Sequence, residues 1–77
     1  MIAERDYRRI ERAIQWIRAN AGDQPYVEQM AAAVALSPHH FSRLFRRWAG
    51  IPPHQYLRTL TMETAKQRLW QSTDLLS

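Results

Sequence analysis

Large apolar residues recur every three or four positions along this chain, and no segment alternates apolar with polar residues. A spacing of three to four places side chains on one face of an α-helix, whereas a half-buried strand requires strict alternation. The pattern therefore predicts an all-α fold without strands. The two Gly and four Pro lie between the apolar segments, where one helix is expected to give way to the next.

The first half of the chain predicts two helices. The first extends from about residue 3 to residue 20, and its apolar stripe consists of Tyr7, Ile10, Ile14 and Ile17. Gly22 is expected to end it as a C-cap with positive φ. A short second helix follows from about residue 27 to residue 34, with its inward positions at Val27, Met30 and Val34. Three consecutive alanines, residues 31–33, are expected to let another helix approach closely, and Leu36 is expected to be buried in the connection that follows.

The segment "LSPHHFSRLFRRWAG", residues 36–50, has clear signals for the two ends of a third helix. Ser37 is suited to accept a hydrogen bond from a free backbone N–H as the N-cap, and Pro38 is favoured at the first helical position. Gly50 ends the helix. One face is entirely apolar and is predicted to be core: Phe41, Leu44, Phe45 and Trp48.

The opposite face of this third helix is basic and carries no acidic residue. At about 100° per residue, the face centres on His39, Arg43 and Arg46. Ser42 lies on one flank, and His40 and Arg47 lie on the other. Like charges this close repel one another slightly, and a polyanionic partner offsets the repulsion where water does not.

A fourth helix is predicted from Pro53 to about Gln71, with Trp48, Tyr56 and Leu57 packing at its start. Trp70 is expected to be exposed. The segment Ser72-Thr73-Asp74 resembles a further N-cap followed by two leucines, so we expect a new helix to begin there. On this reasoning the chain is the front of a longer protein.

Composition narrows the possible functions. Seventy-seven residues form one small domain or a piece of one, and the absence of Cys removes disulfides, thiolate nucleophiles and Cys-ligated zinc. Nothing resembles a signal peptide, and no apolar run approaches the roughly 20 residues needed to span a bilayer, so a cytoplasmic location is the default expectation. The net charge is +4, and ten of the eleven basic residues are Arg, the side chain best suited to phosphates and guanine edges. Charge alone fits a solvated basic surface equally well.

Metal binding and catalysis are both disfavoured by the residue pattern. Neighbouring histidines on a helix point about 100° apart, and no carboxylate lies one turn from His39 or His40 to complete a ligand set. Ser42 has no base and orienting group at workable spacing. We therefore expect no cofactor, no metal and no enzymatic activity in this chain.

A short helix, a tight turn and a capped helix with a basic outer face form the pattern of a helix-turn-helix, whose second helix enters the major groove of duplex DNA. Arg43, at the centre of the face, is suited to a forked contact with guanine O6 and N7. His39 and Ser42 are suited to single hydrogen bonds with base edges. Arg46 would reach a base or a phosphate, and His40 and Arg47 would hold phosphates.

Residues 27–69, "VEQMAAAVALSPHHFSRLFRRWAGIPPHQYLRTLTMETAKQRL", resemble the AraC family of transcription regulators. The shared positions are Ala32, Leu36, Ser37, Phe41, Arg43, Phe45, Arg46, Gly50, Pro53, Tyr56 and Leu57. Within that family, "YRRIERAIQWI" and "LTMETAK" look like the Ada-type proteins, in which such a segment precedes an O6-alkylguanine-DNA alkyltransferase domain. The resemblance implies two helix-turn-helix modules joined by a long helix. This chain would then hold the first module, the linking helix and only the start of the second module, and would act in a response to DNA alkylation. The DNA-reading positions implied by the resemblance are His39, Ser42 and Arg43, with Arg46 and Arg47 beside them.

Two alternatives compete with DNA binding. A small helical domain with a basic face can bind an acidic protein, such as a subunit of RNA polymerase. A membrane-surface helix is the weaker alternative, because the basic helix is short and its apolar face is needed for the core. Charge reversal at Arg43 distinguishes binding to an acidic protein from binding to DNA. If the face binds a protein, the reversal would abolish that contact and leave DNA binding untouched.

Overall fold

The computed structural model describes the backbone of residues 3–76 and the side chains of residues 3–70. Within those residues the chain forms four α-helices and a 3₁₀ turn, Ala21–Asp23, and no strand. The helices are α1 (Glu4–Asn20), α2 (Val27–Ala33), α3 (Pro38–Ala49) and α4 (Pro53–Leu76). The all-α prediction is confirmed.

The core lies where α1, α2, α3 and the start of α4 meet. Its buried apolar residues are Ile10, Ala13, Ile17, Met30, Ala31, Val34, Phe41, Leu44, Phe45 and Leu57. Ala13 was not among the predicted core residues, although it lies one turn from both Ile10 and Ile17 and is fully buried. The predicted stripe residue Tyr7 instead remains half exposed, because it lies near the end of α1 that extends past the core.

The end of α1 differs from the prediction for Gly22. That residue lies inside the 3₁₀ turn without a positive φ, and the left-handed conformation occurs at Gln24, with φ of 50°. The Gln24 side-chain amide donates hydrogen bonds to the carbonyl of Ala21 (3.0 Å) and to Oγ1 of Thr61 on α4 (2.9 Å). These bonds offset the cost of a left-handed conformation in a residue with a Cβ and attach the turn to α4.

The turn between α2 and α3 is a Schellman motif with alanine at the position that usually holds glycine. The N–H of Leu36 donates to the carbonyl of Ala31 (3.0 Å), the N–H of Ala35 donates to that of Ala32 (3.1 Å), and Ala35 has a φ of 58°. Leu36 packs against the core but is only partly buried. Of the three alanines predicted to form a close helix contact, only Ala31 is buried, because a helix turns consecutive residues to different sides.

Both predicted ends of α3 are confirmed. The N–H of His40 donates to Oγ of Ser37 at 3.2 Å, and Gly50 ends the helix with φ of 81°. Trp48, however, is not a core residue. Its side chain is 38% exposed and packs edge-to-face on Tyr7 of α1, with ring centroids 6.2 Å apart.

The helix α4 is longer than predicted. Its backbone continues through Ser72-Thr73-Asp74 to Leu76, so the predicted N-cap and new helix are absent. No Gly or Pro follows Pro53, so no residue after it breaks the helix. A sequence that is suited to an N-cap does not by itself end the helix that contains it. Leu57 is buried and Tyr56 is partly buried, as predicted, and Trp70 is exposed. None of the helices in the described part of the chain combines the length and the apolar character needed to cross a bilayer.

Candidate nucleic-acid interface

The outer face of α3 is open. Five of the six side chains that the sequence singled out are exposed, and the sixth, Ser42, is partly buried. The exposed five are His39, His40, Arg43, Arg46 and Arg47. The structure therefore brings the whole predicted set to one side of one helix.

None of these six side chains has a hydrogen-bond or ion-pair partner among residues 3–70. Arg43, Arg46 and Arg47 border one shallow depression. Three guanidinium groups, none of them ion-paired within residues 3–70, present up to fifteen N–H donors to solvent, about five from each group. Such a surface is chemically suited to phosphate oxygens and to the acceptor atoms of guanine.

The buried face of α3 fixes the direction in which this outer face points. Phe41 and Phe45 are fully buried with ring centroids 5.7 Å apart, and Phe45 also lies 5.7 Å from the ring of Tyr56 on α4. Tilted aromatic pairs of this kind stabilise a core beyond the burial of their area. Because those rings anchor one side of α3, rotation of the helix about its axis is prevented. An α-helix presented in this way fits the roughly 12 Å width of the major groove.

The tertiary structure adds a carboxylate that the α3 sequence does not contain. Asp6, in the first turn of α1, borders a shallow groove together with His40, Arg43, Leu44 and Arg47. The orientation of Asp6 could be read from the sequence, since Asp6 lies four residues before Ile10 and so on the side of α1 that turns toward the core. Its effect on the basic face depends on α1 packing alongside α3, which the sequence did not indicate.

A second set of basic residues also went unassigned at the sequence level. Four arginines on the N-terminal half of α1 border one depression with Glu4: Arg5, Arg8, Arg9 and Arg12. At helical spacing, Arg8 and Arg12 lie opposite the apolar stripe of α1. Within the part of the chain that the structure describes, no three His, Asp or Glu residues come together as metal ligands would.

Comparison with known proteins places this geometry in context. A family profile described as a helix-turn-helix domain matches residues 30–76, which include the second half of α2 and all of α3 and α4. The chain is similar to the regulatory protein PocR of Salmonella typhimurium, with 31% identity over 64 residues, which are 83% of this chain and 21% of that protein. It is also similar to the HTH-type transcriptional regulator Rv1931c of Mycobacterium tuberculosis, with 32% identity over 57 residues, which are 74% of this chain and 22% of that protein. The chain thus spans about a fifth of the length of these relatives. No solved structure shows a significant match.

Proposed function

The chain belongs to the AraC-type helix-turn-helix family and is a DNA-binding domain of transcription regulators, and we propose that it reads duplex DNA through the outer face of α3. The observation that carries this proposal is the open basic face itself. Its three arginines and two histidines are exposed, and none of their side chains is engaged within residues 3–70.

The proposed roles follow from position on the helix. His39 and Ser42, near the N-terminus of α3, would form single hydrogen bonds with base edges, because the start of a recognition helix reaches deepest into the groove. Arg43, one turn after His39, would donate two parallel hydrogen bonds to guanine O6 and N7. Arg46 would contact a base or phosphate, and His40 and Arg47, on the flank beside α1, would hold phosphates.

The decisive experiment is the substitution Arg43→Ala. A preferred duplex is first obtained by selection from a random library, and the affinity of wild type and variant is then measured for that duplex and for a scrambled one. The preference should fall by roughly 1–3 kcal/mol, because a bidentate arginine–guanine contact discriminates by that amount. Arg58→Ala, an exposed arginine on α4, is the matched control and should leave the preference unchanged. Equal loss on both duplexes would reassign Arg43 to a phosphate.

The competing function uses the same face. A basic helix can bind an acidic protein, and RNA polymerase is the expected protein partner of a transcription regulator. In that case Arg43→Glu would abolish binding to the polymerase subunit and leave DNA binding intact. If α3 reads DNA as we propose, Arg43→Glu should abolish duplex binding. Any contact with the polymerase should then survive the substitution.

We also propose a role for the parent protein in a response to DNA alkylation, with a second helix-turn-helix module after α4. The support is the resemblance of "YRRIERAIQWI" and "LTMETAK" to Ada-type proteins. Alkylating treatment of cells should increase transcription from promoters that contain the selected duplex, and deletion of the gene should remove the increase. Induction that persists after deletion would overturn this role without affecting the assignment of α3.

A further inference from the structure

The N-terminal half of α1 carries a continuous arginine face. Arg5, Arg8, Arg9 and Arg12 are spaced at i, i+3, i+4 and i+7, which is the spacing of one helix face, and all four border one depression. Arg5, Arg8 and Arg12 are exposed, and Arg9 is partly buried. We call these four residues the α1 arginine face.

This face has little compensation within the protein. Arg8 forms an ion pair with Glu4 at 3.0 Å, but their side chains are 67% and 81% exposed, so the pair is weak. Arg5, Arg9 and Arg12 have no carboxylate within ion-pair distance among residues 3–70. Two pairs of these arginines are spaced at i and i+4. Within each pair the like charges repel, which destabilises an isolated helix. The arrangement therefore costs the free protein some stability, and a bound polyanion removes that cost.

The N-terminal half of α1, which carries the α1 arginine face, lies beside the proposed recognition helix, because Asp6 and Tyr7 meet residues of α3. Asp6 sits between Arg5 and Arg9 along α1, and it borders the groove that His40, Arg43 and Arg47 also border. The N-terminal half of α1 therefore runs along one flank of the basic face of α3. From residue 5 to residue 12 the helix rises about 10 Å. That length equals the rise of about three phosphates of one DNA strand measured along the duplex axis, at roughly 3.4 Å per phosphate.

We propose that the α1 arginine face binds the sugar–phosphate backbone of the same duplex whose major groove accepts α3. This inference rests on the proposed function and extends it, since it assigns the non-specific part of the affinity to a different helix from the one that reads sequence. Contacts to phosphates fix the position of a protein on the duplex and carry no sequence information directly.

The test is the triple variant Arg5→Gln/Arg9→Gln/Arg12→Gln, measured on the selected and scrambled duplexes over a series of salt concentrations. Each lost phosphate contact should reduce the slope of log K against log salt by about 0.9, so the triple variant should lose about two to three units. Affinity should fall by the same factor on both duplexes, so that the preference is retained. Thermal unfolding of the free variant should occur at an unchanged or higher temperature, because like-charge repulsion is relieved.

The charge-matched control is Arg58→Gln/Lys66→Gln/Arg68→Gln, which removes three exposed cations from α4. Its slope should change by less than one unit. An α1 variant with the wild-type slope, or with no larger change than the control, would overturn the inference while leaving α3 as the reader. A wild-type chain that binds no duplex would overturn the proposed function as well. If the triple variant loses helix content, the double variant Arg5→Gln/Arg12→Gln, at two exposed positions, should still lower the slope by more than one unit.

Discussion

The Nε–H of Arg18 donates a hydrogen bond to the hydroxyl oxygen of Tyr56 across 3.2 Å, and this bond joins α1 to α4. The same Tyr56 ring packs against Phe45 of α3, with centroids 5.7 Å apart. Tyr56 therefore links α4 to both α1 and α3. The hydrogen bond with Tyr56 also raises the pKa of Arg18, so the guanidinium remains charged at all accessible pH values. The angle at which α4 leaves the core depends in part on this residue.

Tyr56→Phe should lower the free energy of unfolding by about 0.5–1.5 kcal/mol, the usual net value of one intramolecular hydrogen bond, and toward the low end here because Arg18 is exposed. The ring contact with Phe45 is retained, so the helix content should not change. Urea unfolding measures the difference. Tyr7→Phe is the control, because the Tyr7 ring contacts Trp48 while its hydroxyl has no partner among residues 3–70. Equal effects at the two tyrosines would show that the Arg18 bond does not stabilise the fold.

Ala35 should tolerate glycine and reject valine. Its φ of 58° lies in the left-handed region, which costs an L-residue about 1–2 kcal/mol and is worse for a β-branched side chain. Ala35→Gly should raise the free energy of unfolding by about 0 to 1 kcal/mol, since relief of the strain is partly offset by the greater entropy of the unfolded chain. Ala35→Val should destabilise by about 1–3 kcal/mol.

The control for Ala35 is the exposed helical residue Ala32. At Ala32, glycine should lower the free energy of unfolding by about 1 kcal/mol and valine should lower it by less. Glycine is therefore the more destabilising substitution at Ala32, whereas valine is the more destabilising one at Ala35. Thermal unfolding of the four variants gives the comparison. The same order at both positions would mean that the turn does not require a left-handed residue.

Arg47→Ala should weaken binding to selected and scrambled duplexes by the same factor and should lower the salt slope by about one unit. The reason is its position on the flank of α3, where it borders the groove shared with Asp6 and is suited to a phosphate. Fluorescence anisotropy over a salt series measures both quantities. A slope equal to that of the wild type would remove Arg47 from the set of phosphate contacts.

Asp6→Asn should increase affinity for every duplex by about two- to fivefold. The Asp6 carboxylate borders the groove between α1 and the basic face of α3, where it repels phosphates and attracts the guanidinium groups; near a surface such an effect amounts to about 0.5–1 kcal/mol. Glu11→Gln removes the same charge from an exposed position of α1 that does not border this groove, and it should raise affinity less.

The same Asp6→Asn variant should be slightly less stable when free, because Asp6 lies in the first turn of α1, where an acid favours the helix by about 0.3–1 kcal/mol. Tighter DNA binding together with a lower unfolding temperature is the expected combination. An unchanged affinity would mean that the carboxylate lies too far from the bound backbone to act on it.

Local chemistry in the sequence determined the helical segments and the exposed basic side of α3. A Ser-Pro start, a glycine end and apolar residues at helical spacing specify α3 without reference to the rest of the fold, and those predictions are confirmed. The exposed basic face followed from the same spacing. These features depend only on neighbours within one or two turns, which a sequence pattern contains.

Only the tertiary structure decided where the helices cross. It placed the Trp48 ring on Tyr7, put the left-handed residue at Gln24, where a hydrogen bond to Thr61 attaches the turn to α4, and brought Asp6 beside α3. Each of these depends on how helices pack across one another, and a period of 3.6 residues defines a buried stripe without its partner or its angle. The exposed basic face of α3 was therefore contained in the sequence, whereas the charges that surround it were set by packing.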